Sequence, residues 1–286
     1  MSAALATAGP RPRARLTPVR IGLYLLLLLL AAFYLMPLFA IVATSLKSFF
    51  EVNHSTLWDV PRAPTLSSYG EAFDRLAPSF WNSVILVVPG TLISSLLGSL
   101  NGYVLSKWKF RGANVLFTVL LFGMFIPYQS ILIPLVGFLD TIGLYGTIPG
   151  LILTHVVYGI PITTLIFRNY YATVPQELLE AGRIDGAGVL GIYRHIMLPV
   201  SIPGFVVVMI WQFTSIWNEF LFAVTITSDP AVQPITVALN SLAGSLLAQY
   251  QIQMAGALLA ALPTLLVYVL LGRYFVRGLL AGSLKG

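Results

Sequence analysis

Three glycines, Gly186, Gly188 and Gly191, have the GxGxxG spacing of loops that bind dinucleotides. Such glycines let backbone N–H groups approach a pyrophosphate, but only after a buried strand and before a helix in a βαβ unit. The preceding residues, TVPQELLEAGRI, predict a short helix instead, and no acidic residue follows about 20 positions after Gly191 to bind a ribose. The spacing is therefore coincidental. The chain also lacks the GxxxxGK[ST] pattern of a P-loop.

Other reactive side chains are sparse. The chain has no cysteine, which removes disulfides, thiolate metal sites and cysteine nucleophiles. Its three histidines do not combine with Asp or Glu at metal-ligand spacing, and no pair of residues makes a catalytic dyad. An enzyme embedded in a membrane would need such a cluster, so the sequence disfavours an enzyme.

The composition is that of an integral membrane protein. Of the 286 residues, 57% are hydrophobic and only 9% are charged, whereas soluble domains carry about 25% charged residues. A net charge of +6 would suggest a nucleic-acid partner in a soluble chain. In a membrane protein it indicates basic loops on the cytoplasmic side, so no nucleic-acid partner is expected.

Charge-poor stretches long enough to cross a membrane predict an all-α protein with six transmembrane helices. The fifth span is expected to continue to about residue 224. The first is too long for the core of a secretory signal, so we expect it to be retained. The predicted spans are residues 21–46, 76–106, 112–139, 141–168, 195–218 and 254–271.

The basic residues predict the orientation. Thirteen of the 16 Lys and Arg residues fall in the N-terminal tail, the loops between spans 2 and 3 and between spans 4 and 5, and the C-terminus. Only Lys47, Arg62 and Arg75 lie on the other side. Both termini and the glycine-containing loop are therefore predicted to be cytoplasmic. We expect residues 1–20 to form a flexible tail, residues 21–75 the first helix and an extracytoplasmic loop, and residues 76–286 the transport core.

The glycine-containing loop has the features of a docking surface. Thr173 and Gln176 have the spacing of a helix-capping box, with Pro175 suited to the first turn. Leu178, Ala181, Gly182 and Asp185 are predicted to share one helix face. The pair Asp185-Gly186 favours a turn with a left-handed residue, after which a second short helix is expected to end at Pro199.

These residues resemble the EAA loop of permease subunits of binding-protein-dependent ABC importers. The family pattern, E-A-A, two residues, D-G-A, and later I-x-L-P, matches Glu180 and Ala181, Asp185 to Ala187, and Ile196, Leu198 and Pro199. Gly182 replaces the second alanine. The segments IWNEFLFAVT, FIPYQSILIPLV and LPTLLVYVLLGRYFVRGLLAGSLKG resemble the carbohydrate-uptake branch, in the MalG-like half of its permease pair. LNGYVLSKWKFRG and HVVYGIPITTLIFRNYY are similar to glucose/mannose-type systems.

The resemblance implies a sugar importer that works by alternating access with several partners. These are a second, homologous permease, a dimeric cytosolic ABC ATPase that binds ATP and Mg, and an extracytoplasmic sugar-binding protein. This chain would bind no cofactor or metal, and would lie in the cytoplasmic membrane of a bacterium or archaeon. Arg273 and Arg277 are expected to contact lipid headgroups. The expected contacts with the ATPase are Glu177, Glu180, Ala181, Gly182, Asp185, Gly186, Ala187, Ile196, Leu198 and Pro199.

Polar residues inside the spans suggest a sugar path. At about 100° per residue, six residues of span 5 fall within an arc of about 160°, and polar groups in a span normally face the bundle interior or water. Hydrogen bonding to the second permease explains them equally well. Pro127 and Pro134 predict kinks in span 3 that free its polar residues to line a cavity. His155 is expected to be a packed, hydrogen-bonded residue. The candidate path is Trp211, Gln212, Thr214, Ser215, Asn218 and Glu219, with Tyr128, Gln129 and Asn82.

A secondary transporter is the competing class. Such proteins often carry inverted repeats and intramembrane acids that couple to ions. Neither is evident here, because Glu219 alone makes a poor proton relay.

Overall fold

The computed structural model describes residues 17–244 and 249–283. Within them the secondary structure is helical, without a strand. Three short 3₁₀ turns and one π-helical turn interrupt or join the α-helices. The α-helices are α1 (Pro18–Ser45), α2 (Phe49–His54), α3 (Ser67–Lys107), α4 (Ala113–Phe122), α5 (Leu132–Thr141), α6 (Ile148–Ala172), α7 (Glu177–Ile184), α8 (Val189–Ile192), α9 (Leu198–Val200), α10 (Ile202–Trp217), α11 (Leu221–Ile226), α12 (Ile235–Ala243) and α13 (Tyr250–Ser283).

Four of these helices, α1, α3, α6 and α13, are each long and apolar enough to cross a membrane within the described residues. Two bent pairs bring the number of candidate spans to six. All six stretches predicted from the sequence therefore correspond to a helix or a bent helix pair. Helix α3 begins at Ser67 rather than near residue 76, so the boundary expected after residue 75 lies inside a continuous helix.

The third span is bent by 91° between its two halves. The break follows α4 at Ile126 and Pro127, whose ψ angles of 119° and 117° are not helical. The kink predicted at Pro127 is confirmed. Pro134 produces no kink, contrary to expectation, because it lies in the first turn of α5, where a missing backbone N–H costs no hydrogen bond.

The fifth span is also bent, by 77° at Ser201. Residues 195–200 belong to the helical segment before the bend and not to a straight span beginning at residue 195. The expected continuation to residue 224 is also wrong. Helix α10 ends at Trp217, and α11 begins separately at Leu221.

Helices α3 and α6 form the centre of the fold and pack closely side by side. A Cβ atom added at Gly102 would lie 2.7 Å from the backbone nitrogen of Arg168, so only glycine allows this approach. Thr163 Oγ1 donates to Ser94 O at 3.1 Å across the same interface. This pair therefore forms a rigid base for the elements at both of its ends.

The two larger apolar cores lie along this base. One includes Leu86, Leu139, Leu151, Trp217 and Ile226. The other packs Tyr103, Phe167 and Tyr171 against residues of the glycine-containing loop, Leu179 and Met197 among them. Helix α1 is exposed along residues 18–39 and becomes buried only at residues 43–45.

Candidate functional site

The glycine-containing loop folds into a compact element, residues 177–200, called here the coupling segment. Helix α7 ends in a Schellman motif: Gly186 N–H donates to Arg183 O at 3.0 Å, and Ala187 N–H donates to Gly182 O at 2.9 Å. Gly186 has φ +80°, the left-handed conformation that this motif requires. The turn predicted at Asp185-Gly186 is confirmed.

The start of α7 differs from the prediction. Gln176 precedes the helix as its N-cap and makes no side-chain capping bond. The Thr173 hydroxyl donates to Tyr170 O at 2.8 Å, and Thr173 ends α6 instead. The predicted capping box is therefore wrong, because the residue expected to start one helix is used to finish the preceding one.

The two faces of α7 also differ from the predicted pattern. Leu179 and Gly182 are buried against the rest of the chain, so Gly182 does not share the outward face of Leu178, Ala181 and Asp185. That outward face also includes Glu177 and Glu180. It contains one large apolar residue that sequence reasoning missed, Ile184, which is 86% exposed.

The second half of the coupling segment supports the first. A Cβ at Gly182 would lie 2.8 Å from Ile196 Cδ1 and 3.2 Å from Ile192 Cγ1, so these two isoleucines press on α7 from within the chain. Ile196 and Leu198 are half-buried and Pro199 is exposed. The motif residues thus divide into an outward set on α7 and its turn and an inward set that holds them in place.

Basic residues fix the coupling segment, and the linker that precedes it, to the end of α3. Lys107 Nζ donates to Val174 O at 2.5 Å. The Arg183 guanidinium lies 4.5 Å from the centre of the Trp108 ring, a cation–π contact. In the sequence, Lys107 and Arg183 served only to predict the membrane orientation. In the structure they also make stabilising contacts.

The polar arc predicted in span 5 is split by the structure. Trp211, Ser215 and Asn218 are exposed on the isolated chain, and Trp211 is 50% exposed. Gln212 is buried instead, and its amide donates to His155 O at 3.5 Å. Thr214 is half-buried, with a hydroxyl that has no hydrogen-bond partner among the described residues.

Glu219 lies in the break after α10 and caps the next helix. Its carboxylate accepts from the backbone N–H of Phe222 at 2.9 Å and of Ala223 at 3.2 Å. His155, on α6, lies 3.9 Å away through Nε2. His155 is buried as predicted, but its Nε2 makes no hydrogen bond within the described part of the chain. Nothing in the sequence indicated that His155 and Glu219 are neighbours, and only the fold brings them together.

The remaining candidates have separate surroundings. Tyr128 packs against Phe222 at 5.2 Å between ring centres, while Gln129 is exposed. Asn82 Nδ2 donates to Ala231 O at 2.8 Å and to Gln233 O at 3.2 Å, anchoring the loop before α12. Tyr128 and Glu219 thus both contact Phe222, whereas Asn82 contacts the loop before α12. No group of three or more potential metal ligands occurs in the described residues.

The described chain is thus a helical bundle with two bent candidate spans and a short helix that ends in a glycine turn. The family model described as binding-protein-dependent transport system inner membrane component matches residues 90–280. The chain belongs to this family and is a permease subunit, not an enzyme.

Individual relatives agree with this assignment. A probable ABC transporter permease protein of Pyrococcus horikoshii is 47% identical over 95% of this chain and 99% of the relative. The xylose/arabinose import permease protein of Haloferax volcanii is 38% identical over 91% and 92%. The glucose import system permease protein of Saccharolobus solfataricus is 30% identical over 92% and 95%.

A solved structure has the same fold. One chain of a bacterial ABC transporter involved in the import of the acidic polysaccharide alginate superposes with a TM-score of 0.79 at 23% identity. The match covers 89% of this chain and 95% of that chain. At this identity the likeness concerns the architecture.

Proposed function

We propose that this chain is the permease subunit of an ATP-driven, binding-protein-dependent importer that carries a sugar into the cytoplasm by alternating access. A hexose such as glucose or mannose is the favoured substrate, and a disaccharide such as maltose or trehalose comes next. The names of the relatives support a sugar, because they include xylose/arabinose, glucose and alpha-glucoside permeases. The variety of those sugars leaves the choice to experiment.

The observation that carries the proposal is the outward face of α7. Acidic residues and Ile184 project from a helix whose inner face and terminal turn are fixed by the chain itself. Such a surface can transmit force without a covalent link, because its shape is held before the partner binds. The partner is a dimeric cytosolic ABC ATPase, which binds the ATP and Mg, and this chain binds neither.

The excess of basic residues supports the orientation. Lys107, Lys109, Arg168, Arg183 and Arg194 lie within or close in sequence to the loops on this side, which supports a cytoplasmic location for the coupling segment and for both termini. Membrane insertion is then in the cytoplasmic membrane of a bacterium or archaeon. The side chains of Arg273 and Arg277, expected at lipid headgroups, and residues 1–16 of the tail lie outside the described residues.

Two further partners complete the transporter. A second, homologous permease would cover the exposed stripe formed by Trp211 and Ser215 on α10 and by Asn218 just after it, leaving a sugar path between the two subunits. An extracytoplasmic binding protein would deliver the sugar. One structural neighbour, matched at a TM-score of 0.66, is an alginate ABC transporter in complex with a pentasaccharide-bound periplasmic protein.

Reconstitution tests the proposal directly. The permease pair and the ATPase would be co-purified and placed in liposomes, and the binding protein would be added. A thermal-shift screen of the binding protein with glucose, mannose, maltose and trehalose selects the labelled sugar. We expect ATP-dependent uptake and sugar-stimulated ATP hydrolysis. Uptake without ATP, abolished by dissipating an ion gradient, would instead identify a secondary transporter.

A further inference from the structure

A cluster of four hydroxyl groups, called here the hydroxyl cluster, lies beneath the coupling segment. Ser99 Oγ on α3 is within 2.6 Å of Tyr171 OH on α6 and accepts from Tyr193 OH at 3.1 Å. Tyr171 OH also donates to Ser201 Oγ at 2.9 Å. Ser99, Tyr171 and Ser201 have no exposed surface, and Tyr193 is 8% exposed. The cluster therefore links three separate parts of the chain through groups shielded from solvent.

Two members of the cluster, Tyr193 and Ser201, lie at a π-helical turn and at the bend of the fifth span. Tyr193 begins the π-helical turn Tyr193–Met197, where Leu198 N–H reaches back to Tyr193 O. Ser201 lies at the 77° bend that leads into α10, and its hydroxyl donates to Leu198 O at 2.9 Å. π-Helical turns are uncommon and occur frequently at functional sites. The hydroxyl cluster thus provides hydrogen bonds at the points where the chain departs from regular α-helix geometry.

The other two members lie on the rigid base of the fold. Ser99 is between Gly98 and Gly102, the positions where α3 approaches α6 most closely, and Tyr171 is near the end of α6. A second contact reinforces the attachment: Tyr103 stacks on Tyr193 with ring centres 5.5 Å apart, and its hydroxyl donates to Val189 O at 3.1 Å. The coupling segment is therefore joined to α3 and α6 by directional bonds as well as by apolar packing.

We infer that Tyr193, Ser99, Tyr171 and Ser201 are positioning residues that convert displacement of the coupling segment into movement of the transmembrane helices. The inference rests on the proposed function. A buried hydroxyl that separates from its partner has no water to replace it, so slippage at this junction is costly. The coupling segment, α3 and α6 consequently move together, and the bend at Ser201 lets α10 adopt a different angle.

The test disrupts the Tyr193–Ser99 bond from either side. Tyr193→Phe removes this bond alone and keeps the ring that stacks on Tyr103, whereas Ser99→Ala also removes the bond to Tyr171. Each reconstituted transporter is assayed for labelled glucose, or for the screened sugar that stabilises the binding protein most, together with ATP hydrolysed in the same vesicles. We expect hydrolysis to continue and the sugar carried per ATP to fall by about threefold or more. The double variant should be no worse than the poorer single variant, because both act on the same bond.

Tyr69→Phe is the matched control. Tyr69 OH makes a hydroxyl–hydroxyl bond of 2.8 Å with Ser45 Oγ at the far end of α3, away from the coupling segment. It should keep the wild-type ratio of sugar to ATP. A purely structural role of the cluster would lower transport and hydrolysis together and leave that ratio unchanged, which would overturn the inference.

The remaining outcomes are also decisive. Wild-type ratios in both cluster variants overturn the inference, and so does failure of both to assemble, since the hydroxyls would then serve folding alone. Failure of the wild-type transporter to couple sugar uptake to ATP would instead refute the proposed function itself. The two failures are therefore distinguished by the wild-type measurement.

Discussion

Gly182 and Ile196 lie in contact across the interior of the coupling segment, so close that a Cβ at residue 182 would meet Ile196 Cδ1 at 2.8 Å. Gly182 is the position where this chain departs from the alanine of the family pattern. Glycine at this position leaves room for Ile196 Cδ1, the far end of a flexible side chain within the same segment. The glycine therefore serves internal packing.

This contact predicts that substitutions of Gly182 and Ile196 have non-additive effects on stability. Gly182→Ala should gain about 1 kcal/mol of helix propensity but lose most of it to the clash with Ile196. Ile196→Val removes Cδ1 and alone should cost about 0.5–1.5 kcal/mol. The double variant should be more stable than the sum of the two by at least about 0.5 kcal/mol, measured by thermal unfolding of the purified complex. Gly188→Ala, where nothing lies within 4 Å, should combine additively with Ile196→Val. Additivity at residue 182 would contradict the packing argument.

Gly186→Leu is expected to uncouple the transporter. The left-handed φ of +80° costs a side-chain-bearing residue about 1–2 kcal/mol, so the Schellman turn should open and α7 should lose its fixed position. The protein should still insert into the membrane, and ATP hydrolysis should continue without sugar uptake. Gly143→Leu imposes a similar strain, at φ +71°, in the loop between α5 and α6. It should retain coupling, whereas normal uptake by Gly186→Leu would refute the role assigned to the turn.

Ile184→Glu should prevent assembly with the ATPase and leave the permease folded. The side chain is 86% exposed, so the substitution buries no charge in the isolated chain but places one in the proposed interface. Co-purification of the ATPase with tagged permease measures the effect. Leu57→Glu, in the loop between α2 and α3 and 54% exposed, is the matched control and should retain the ATPase. Equal retention by both variants would exclude Ile184 from the interface.

Glu219→Ala should destabilise the region between α10 and α11. The carboxylate accepts from two backbone N–H groups at the start of α11, and loss of such a cap costs about 1–2 kcal/mol. The melting temperature of the complex should fall, while Asp74→Ala, at an exposed position of α3 away from the coupling segment, should leave it nearly unchanged. An unaltered melting temperature for Glu219→Ala would show that the cap contributes little to the fold.

The sequence by itself determined the membrane class, the number of spans, the kink at Pro127 and the left-handed turn at Gly186. Each follows from local properties: apolar length, a missing backbone donor, or the conformational freedom of glycine. The spacing of the motif residues also indicated the family, which the family model and the similar permeases confirm.

Only the tertiary structure decided which residues meet. It turned Gly182 inward, brought His155 to Glu219 across two spans, occupied the Asn82 amide with loop carbonyls, and gathered Ser99, Tyr171, Tyr193 and Ser201 into one cluster. In a membrane span nearly every position is apolar, so hydrophobic periodicity says little about which face is buried. The facing of each polar side chain is set by long-range helix packing, and the 77° bend at Ser201 alters it further.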